Sequence, residues 1–156
     1  MKIAVLHRYP PQQALGTNAS CIEVLKKLTK THADVLYVTF REKHEIPIPG
    51  VTFIRIPLFF NRAHNIDKVV KTYAWIFLVP LQILRLRLRK KVDIIYCDDS
   101  VPFYAFLCKL LNPGLKVIMR LGDLQIGYQF YDTNRRVYNL LLKIEVAIWK
   151  LSLIHI

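Results

Sequence analysis

The sequence predicts an α/β fold in which helices cover both faces of a mostly parallel β-sheet. Short apolar runs of strand length alternate along the chain with longer segments whose apolar residues recur every three or four positions. The short runs are almost continuously apolar, as is typical of strands that are buried on both faces of a parallel sheet. Because right-handed crossover helices return each strand beside an earlier one, the expected architecture is a Rossmann-like three-layer sandwich.

The predicted elements follow one another mostly in the order strand, helix, strand. Runs bounded by polar or turn residues predict strands at Ile3–Leu6, Val35–Phe40, Val51–Pro57, Val92–Tyr96 and Val117–Met119. Helical spacing predicts helices at Asn18–Lys30, from Asn65 to about Lys91, at Pro102–Leu111 and from Asn134 to about Leu151. The Val51–Pro57 run alternates between apolar and polar residues, so we expect this strand to lie nearer to an edge of the sheet.

Length and composition indicate one folded unit. The chain has 156 residues and is 53% hydrophobic, which suffices for one sizeable core and is short for two domains. Its last residues, KLSLIHI, change from a helical pattern to an apolar run that resembles the start of a strand. We therefore expect residues 1–156 to form a single domain that is truncated before a further domain, or a subunit that another chain completes.

The charge balance indicates a large anionic partner. Lys and Arg number 23 against 11 acidic residues, which gives a formal net charge of +12. Such a charge suits a membrane surface, a nucleic acid or a phosphorylated substrate. A nucleic acid is the least favoured of the three, because the aromatic residues cluster with aliphatic residues in one segment instead of alternating with basic ones.

The cysteines and histidines predict neither a disulfide framework nor a metal site. Cys21, Cys97 and Cys108 are odd in number and lack C-x-x-C spacing, and the histidines show no paired ligand spacing. The N-terminal apolar run is too short for a secretory signal, and the most hydrophobic stretch, Tyr73–Leu84, is too short to span a bilayer. We expect a cytoplasmic protein.

Residues after the predicted strands are the candidates for ligand binding, because ligands of such sheets bind outside the carboxyl ends of the strands. After the first strand, Gly16 can adopt backbone angles that are closed to other residues. Thr17 or Asn18 can cap the following helix, whose N-terminus favours an anion. This turn is therefore either a seat for a phosphate group or a connecting loop with a helix cap.

Basic side chains follow two of the predicted strands. His7 and Arg8 come directly after the first strand, and Arg120 follows the fifth. Arginine can bind phosphate through two parallel hydrogen bonds. Arginines at strand ends are also common as solvated surface charges, and the sequence leaves both interpretations open.

Carboxylates also follow two strands and are the candidates for catalysis. Asp98 and Asp99 follow the fourth strand, where Asp99 or Ser100 is also a natural N-cap for the next helix. Asp98 is thus the better candidate for a cleft. Asp123 follows the fifth strand after Gly122 and can accept a hydrogen bond from a substrate hydroxyl or act as a base. The alternative for Asp123 is a loop aspartate that turns the chain.

The segment Asn65–Lys91 combines aromatic, aliphatic and basic residues. Its apolar residues exceed one helical stripe, and it ends in the sequence LRLRLRKK. Such a helix can place apolar side chains in a lipid interface while basic side chains meet anionic head groups. The alternative is a core helix whose arginines extend to water. The residues expected to contact a membrane are Trp75, Phe77, Arg85, Arg87, Arg89, Lys90 and Lys91.

The segment from Gly16 to Thr39 resembles, without a gap, the first helix and second strand of the GT-B glycosyltransferases, especially those of family 4. The family pattern reads roughly G-x6-E-L-x3-L-x4-G-H-x-V-x-V-x-T, and the residues in register with it are Gly16, Glu23, Leu28, Val35 and Thr39. The sequence THAD stands where the family has a Gly-His-Glu turn.

Three later segments are similar to the same family in the same order. VDIIYCDDSVPFYAFLCKLL is similar to the fourth strand and the following helix, and LKVIMRLGD is similar to the next strand, usually written K-P-V-V-x-T-x-H-D. KIEVAIWKLSLIHI is similar to the helix and strand that precede the crossing into the second domain. The resemblance thus spans nearly the whole chain.

This resemblance implies the N-terminal, acceptor-side half of a GT-B fold. Such enzymes bind an acceptor on the N-terminal domain and a nucleotide-sugar on the C-terminal domain, usually without a bound metal or cofactor. The glycine turn, here Gly16, approaches the donor diphosphate or the acceptor, and its N–H groups would stabilise charge there. Asp123 stands at the position of the family's aspartate, and Gly122 stands where the family often has a histidine.

The activity implied by the resemblance is transfer of a sugar from a nucleotide-sugar donor to a lipid-linked or cell-envelope glycan acceptor. Together with the charge and the aromatic segment, it implies a peripheral protein on the inner face of a membrane. The partners would be the nucleotide-sugar, the acceptor, the anionic surface and a second chain if one supplies the C-terminal domain. The alternative is a non-catalytic, membrane-associated subunit or scaffold with the same fold.

Overall fold

The computed structural model describes most of the chain at the level of elements and side chains. The described residues are 1–9, 16–31, 34–41, 47–57, 65–97, 102–119, 135–136, 139–140, 142–144 and 146–147. The strands are β1 (Lys2–Leu6), β2 (Asp34–Phe40), β3 (Val51–Ile56), β4 (Ile94–Cys97) and β5 (Lys116–Met119). The helices are α1 (Gly16–Lys30), α2 (Asn65–Leu88) and α3 (Pro102–Leu111). All five predicted strands and the first three predicted helices are confirmed, and the described residues within 135–147 are helical.

Several boundaries differ from the prediction by one to three residues, and two of them are informative. Helix α2 ends at Leu88 because Lys90 has a φ of 53°, a left-handed conformation that does not continue a helix. Strand β4 begins at Ile94, although Val92 is fully buried. Val92 therefore belongs to the core without belonging to the sheet, a distinction that an apolar run does not reveal.

The five strands form one parallel sheet in the order β3-β2-β1-β4-β5. Strand β1 lies at the centre, where Ile3 pairs with Val35 of β2 on one side and with Ile94 of β4 on the other. The position of β3 at the end of this order confirms the edge strand that its alternating sequence predicts. The expected α/β, Rossmann-like architecture is confirmed.

Alternate residues of β1 enter two separate hydrophobic cores. Ile3 and Val5 pack with Cys21 and Leu25 of α1, whereas Ala4 and Leu6 belong to the larger core formed with α2 and α3. Successive side chains of a strand point to opposite faces, so a central strand covered on both sides has to be apolar throughout. This requirement explains why the predicted strands read as continuous apolar runs.

Trp75 of α2 is a central residue of the larger core. Its side chain is fully buried, and its ring lies edge-on to two other rings. The distance between ring centres is 5.0 Å to Phe40 and 5.9 Å to Tyr104 of α3. The expectation that Trp75 contacts a membrane is therefore wrong. Helix α2 packs closely against α3 over the sheet, so the indole of Trp75 lies in the larger core. Aromatic rings in such a contact bury large apolar areas.

Candidate functional site

The carboxyl edge of the sheet contains a point where the chain reverses direction across the sheet. From β1 the chain passes through α1 to β2 on one side, and from β4 it passes through α3 to β5 on the other. Helices α1 and α3 belong to opposite layers, since they pack in different cores. Ligands of open α/β sheets bind at such a position, outside the carboxyl ends of the strands.

Residues 7–9 extend beyond β1 and are held against β2. The His7 N–H donates to the Val38 carbonyl at 3.1 Å, and the Phe40 N–H donates to the Arg8 carbonyl at 3.3 Å. Two side chains of β2 add to these bonds. The Tyr37 hydroxyl donates to the Tyr9 carbonyl at 2.8 Å, and the hydroxyl of the fully buried Thr39 donates to the Arg8 carbonyl at 3.3 Å.

The half-buried His7 ring is oriented by the backbone of Tyr9. Its Nδ1 lies 2.8 Å from the Tyr9 carbonyl oxygen and 3.2 Å from the Tyr9 nitrogen. When Nδ1 carries a proton it donates to the carbonyl, and when it does not it accepts from the N–H. Either arrangement engages Nδ1, so Nε2 is the ring nitrogen through which His7 can bind a ligand.

The charged side chains that the structure describes at this edge are basic. Arg8 follows β1, Arg41 follows β2, and Arg55 precedes the last residue of β3, where its Cα pairs with that of Thr39. The guanidinium carbon of Arg8 lies 5.8 Å from the centre of the Tyr9 ring, and that of Arg55 lies 5.9 Å from the centre of the Phe53 ring. Arg8 and Arg55 thus each lie over the face of an aromatic ring, which attracts a cation.

The carboxylates with described side chains lie away from these arginines. Asp34 begins β2 and Asp93 precedes β4, both at the amino edge of the sheet, and Glu23 lies within α1, 3.3 Å from Lys26. Among the side chains that the structure describes, the carboxyl edge is therefore positive and suited to an anion. We call the group formed by His7, Arg8, Tyr9, Arg41 and Arg55 the carboxyl-edge site.

Helix α1 begins at Gly16 and packs through Cys21 and Leu25 against the face of the sheet that carries Ile3 and Val5. Thr17 and Asn18 lie inside the first turn. Neither residue is therefore the N-cap that the sequence predicts, because the N-cap precedes the first helical residue. The first N–H groups of a helix have no partner within it and carry partial positive charge. The backbone at Gly16, Thr17 and Asn18 is thus of the kind that receives phosphate groups.

Four predicted site residues lie outside the described residues. Asp98 comes directly after Cys97, the last residue of β4, and Arg120 comes directly after Met119, the last residue of β5. Gly122 and Asp123 follow in the same undescribed segment. Their roles remain predictions. The register that pairs Leu6 with Cys97 brings the ends of β1 and β4 side by side.

The amino edge holds a groove that the sequence does not predict. Its volume is about 280 Å³, and its lining residues are Lys2, Asp34, Val35, Leu36, Gly50, Thr52 and Lys91. Lys2 is also held locally, since its ammonium group donates to the Lys90 carbonyl at 2.9 Å and its N–H donates to the Asp93 carboxylate at 2.9 Å. The groove joins residues from four separate segments, so no local pattern could have indicated it.

The residues expected to contact a membrane divide into three groups. Trp75 is buried, as described above, and Phe77 is 61% exposed. Arg85, Arg89, Lys90 and Lys91 are exposed. Arg87 is half-buried because its guanidinium donates to the Val92 carbonyl at 2.9 Å and lies 3.6 Å from the Asp93 carboxylate. Arg87 therefore joins the end of α2 to the start of β4. Its side chain is 39% exposed, and its contact with a membrane stays a prediction.

The three cysteines are buried and form no disulfide bond with one another. Within the described ranges, no three His, Cys, Asp or Glu side chains lie close enough together to hold a metal ion. The helices in the part of the chain that the structure describes are too short or too polar to cross a membrane.

No protein-family model matches the chain, and no curated protein is detectably similar to it. The class that the structure defines is thus an α/β protein with a parallel, Rossmann-like sheet. The resemblance to the GT-B glycosyltransferases depends on the sequence motifs alone, so the activity that it implies is a proposal.

Proposed function

We propose that this chain is the acceptor-side domain of a glycosyltransferase of the GT-B class. It would take part in transfer of a sugar from a nucleotide-sugar to a lipid-linked or cell-envelope glycan acceptor at the inner face of a membrane. The observation that carries the proposal is the position of the carboxyl-edge site. Its basic residues lie where an α/β sheet of this strand order binds ligands.

The chemistry of the site suits a departing diphosphate. In sugar transfer, an acceptor oxygen forms a bond to the anomeric carbon, the bond from that carbon to the diphosphate oxygen breaks, and the acceptor proton passes to a base. Negative charge grows on the diphosphate, and fixed positive groups stabilise it. Arg8, Arg41 and the N–H groups at Gly16 are proposed for this role. Asp98 and Asp123 are proposed as groups that orient the acceptor hydroxyl or accept its proton.

The nucleotide-sugar is proposed as a substrate, and no bound cofactor or metal is required by the scheme. The donor-binding domain of this class follows the acceptor domain in the chain or comes from a second chain. The described residues would bind the diphosphate and the acceptor, and the base of the nucleotide-sugar would bind to that further domain.

The test is binding of defined diphosphates to the chain of 156 residues. Titration with UDP-glucose, GDP-mannose and inorganic diphosphate, followed by backbone amide NMR, is expected to shift the signals of residues 7–9 and 16–18. Arg8→Ser and Arg41→Ser should each weaken binding about tenfold, since a hydrogen bond to a charged group contributes roughly 1.5–3 kcal/mol. Lys30→Ser is the matched control, because Lys30 is an exposed cation at the other end of α1.

Two results would contradict the proposal. One is an absence of shifts with all three compounds. The other is a set of shifts centred on the amino-edge groove, at Lys2 and Lys91, with unchanged affinity in Arg8→Ser and Arg41→Ser.

A non-catalytic, membrane-associated subunit is the second candidate, and the exposed apolar side of α2 favours it, with Phe77 61% exposed. Such a subunit would leave the amide signals of residues 7–9 unchanged when nucleotide-sugars are added. The same titration therefore separates the two candidates, whereas binding to lipid vesicles is expected of both.

A further inference from the structure

Helix α2 has an apolar side that is exposed among the residues that the structure describes. Five residues on this side are 41% to 77% exposed, and we call them the outer stripe. They are Val70, Tyr73, Phe77, Leu81 and Leu88. Their spacing of three, four or seven residues places them along one side of the helix. At about 1.5 Å of rise per residue, the stripe is about 27 Å long.

The outer stripe is additional to the residues that hold α2 on the sheet. Trp75, Val79, Ile83 and Leu86 form the inner side of the helix and are almost fully buried in the larger core. One such side is sufficient to fix a surface helix of a globular domain. A second apolar side of this length exceeds the scattered apolar residues that are normal on protein surfaces, and it marks an interaction site.

Charge identifies the kind of surface that the outer stripe fits. Exposed cations follow the stripe at its C-terminal end, at Arg85, Arg89, Lys90 and Lys91. Between residues 70 and 91, the sequence has no acidic residue. A second copy of the chain would bring its own +12 charge against these cations. An anionic lipid surface supplies the opposite charge and an apolar layer in one plane.

We infer that the outer stripe docks on an anionic lipid bilayer, with α2 parallel to the membrane surface. Phe77 and Leu81 enter the boundary between head groups and acyl chains, Tyr73 lies at the head-group level, and the cations at the end of α2 meet lipid phosphates. Arg87 is left out of this group because its guanidinium is bound to Val92 and Asp93. This inference uses the geometry of α2 alone and does not rest on the proposed function.

The test uses the chain of 156 residues and sedimentation with large vesicles. One set contains phosphatidylcholine alone, and the other contains phosphatidylcholine mixed with phosphatidylglycerol. We expect retention on the mixed vesicles at low salt and release at about 0.5 M salt, because salt screens exposed charges. The double variant Phe77→Ser, Leu81→Ser should reduce retention at least tenfold. The triple variant Arg85→Ser, Arg89→Ser, Lys91→Ser should reduce it about 100-fold, since each basic residue contributes about fivefold.

Matched controls separate position from composition. Lys26→Ser, Lys27→Ser, Lys30→Ser removes the same charge from exposed positions of α1, on the opposite face of the sheet. Leu140→Ser removes an apolar side chain that is 59% exposed outside α2. Both controls should retain nearly the affinity of the unchanged chain. Circular dichroism of every variant establishes that the fold is kept.

A fluorescence measurement reports on the stripe without any loss of apolar surface. The unchanged chain already has Trp75 and Trp149 and serves as the reference. Relative to it, the emission of Phe77→Trp should shift further to shorter wavelength on mixed vesicles, because the added indole would leave water. The inference is overturned if this emission does not change, if the α1 triple variant loses as much binding as the α2 triple variant, or if Phe77→Ser, Leu81→Ser binds vesicles normally. It is also overturned if the stripe instead drives dimer formation in sedimentation velocity while vesicles bind nothing.

Discussion

Burial determines the chemistry of the Cys108 thiol. Cys108 lies on the inner side of α3 in the larger core, where no part of its side chain is exposed. Desolvation by the surrounding apolar residues raises the pKa of the thiol from 9.0 to about 12, because the thiolate is the charged form. Cys108 is therefore a packing residue and not a nucleophile at neutral pH.

This shift predicts a loss of stability at alkaline pH. The folded chain keeps the Cys108 proton above pH 9, whereas the unfolded chain releases it, so the free energy of unfolding falls as pH rises from about 9 towards 12. The contribution of Cys108 to this loss is roughly 1 kcal/mol per pH unit. Urea unfolding at pH 8, 9 and 10 should show a smaller decline in Cys108→Ala than in the unchanged chain. Equal slopes in the two proteins would refute the assignment.

Trp75 and Phe77 show how a single residue's role depends on its neighbours. Both are aromatic residues of α2, two positions apart, so they point to nearly opposite sides of the helix. Trp75 is fully buried, with no described hydrogen-bond partner for its indole nitrogen, and Phe77 is 61% exposed. Chemical type alone would have assigned the two residues to the same surface.

At the scale of an element, the end of α2 is a Schellman motif built without glycine. The Lys91 N–H donates to the Leu86 carbonyl at 2.9 Å, and the Lys90 N–H donates to the Arg87 carbonyl at 2.9 Å. This pattern requires a left-handed residue at position 90, and Lys90 has a φ of 53°. A residue with a Cβ atom in that conformation costs roughly 1–2 kcal/mol.

We predict that Lys90→Gly stabilises the protein by about 1 kcal/mol, because glycine adopts the left-handed conformation without strain. The midpoint of urea unfolding should rise accordingly. Lys90→Ala is the control, since it removes the same charge and keeps a Cβ atom. The hydrogen bond from Lys2 to the carbonyl of residue 90 is available in all three proteins. A similar increase in Lys90→Ala would assign the effect to charge instead of backbone conformation.

At the scale of the whole molecule, the strand order concentrates stability in the centre of the sheet. Strand β1 bonds to β2 and β4, and the side chains from Ile3 to Leu6 are almost completely buried. Strand β5 lies at the end of the described sheet, with Lys116 and Ile118 exposed. The two strands should therefore open to solvent with different free energies.

Hydrogen exchange measures this difference. We predict that the amides of β1 exchange most slowly in the chain and that those of β5 exchange faster. Amide exchange followed by NMR or by mass spectrometry after digestion provides the comparison. Protection of β5 equal to that of β1 would contradict the assignment of β5 as an edge.

Periodicity predicted the elements well because it depends on local geometry. A strand covered on both sides needs the continuous apolar run of Ile3–Leu6, and a helix on a sheet needs the spacing of Trp75, Val79 and Ile83. The contacts of Tyr9 with Tyr37 and of Arg8 with Thr39 could not be predicted from periodicity. These residues are about 30 positions apart in the sequence, and only the parallel pairing of β1 with β2 brings them together.

The sequence by itself determined the α/β class, the succession of strands and helices along the chain and the strongly positive charge. Each of these depends on residue type and local spacing. The tertiary structure alone decided that Trp75 belongs to the core, that Arg87 closes the end of α2 and that Phe77 and Leu81 face outwards. It also decided that Arg8, Arg41 and Arg55 lie at one edge of the sheet. The physical reason is that burial and the local electric field at a residue are set by neighbouring elements, whose positions are fixed only when the sheet is assembled.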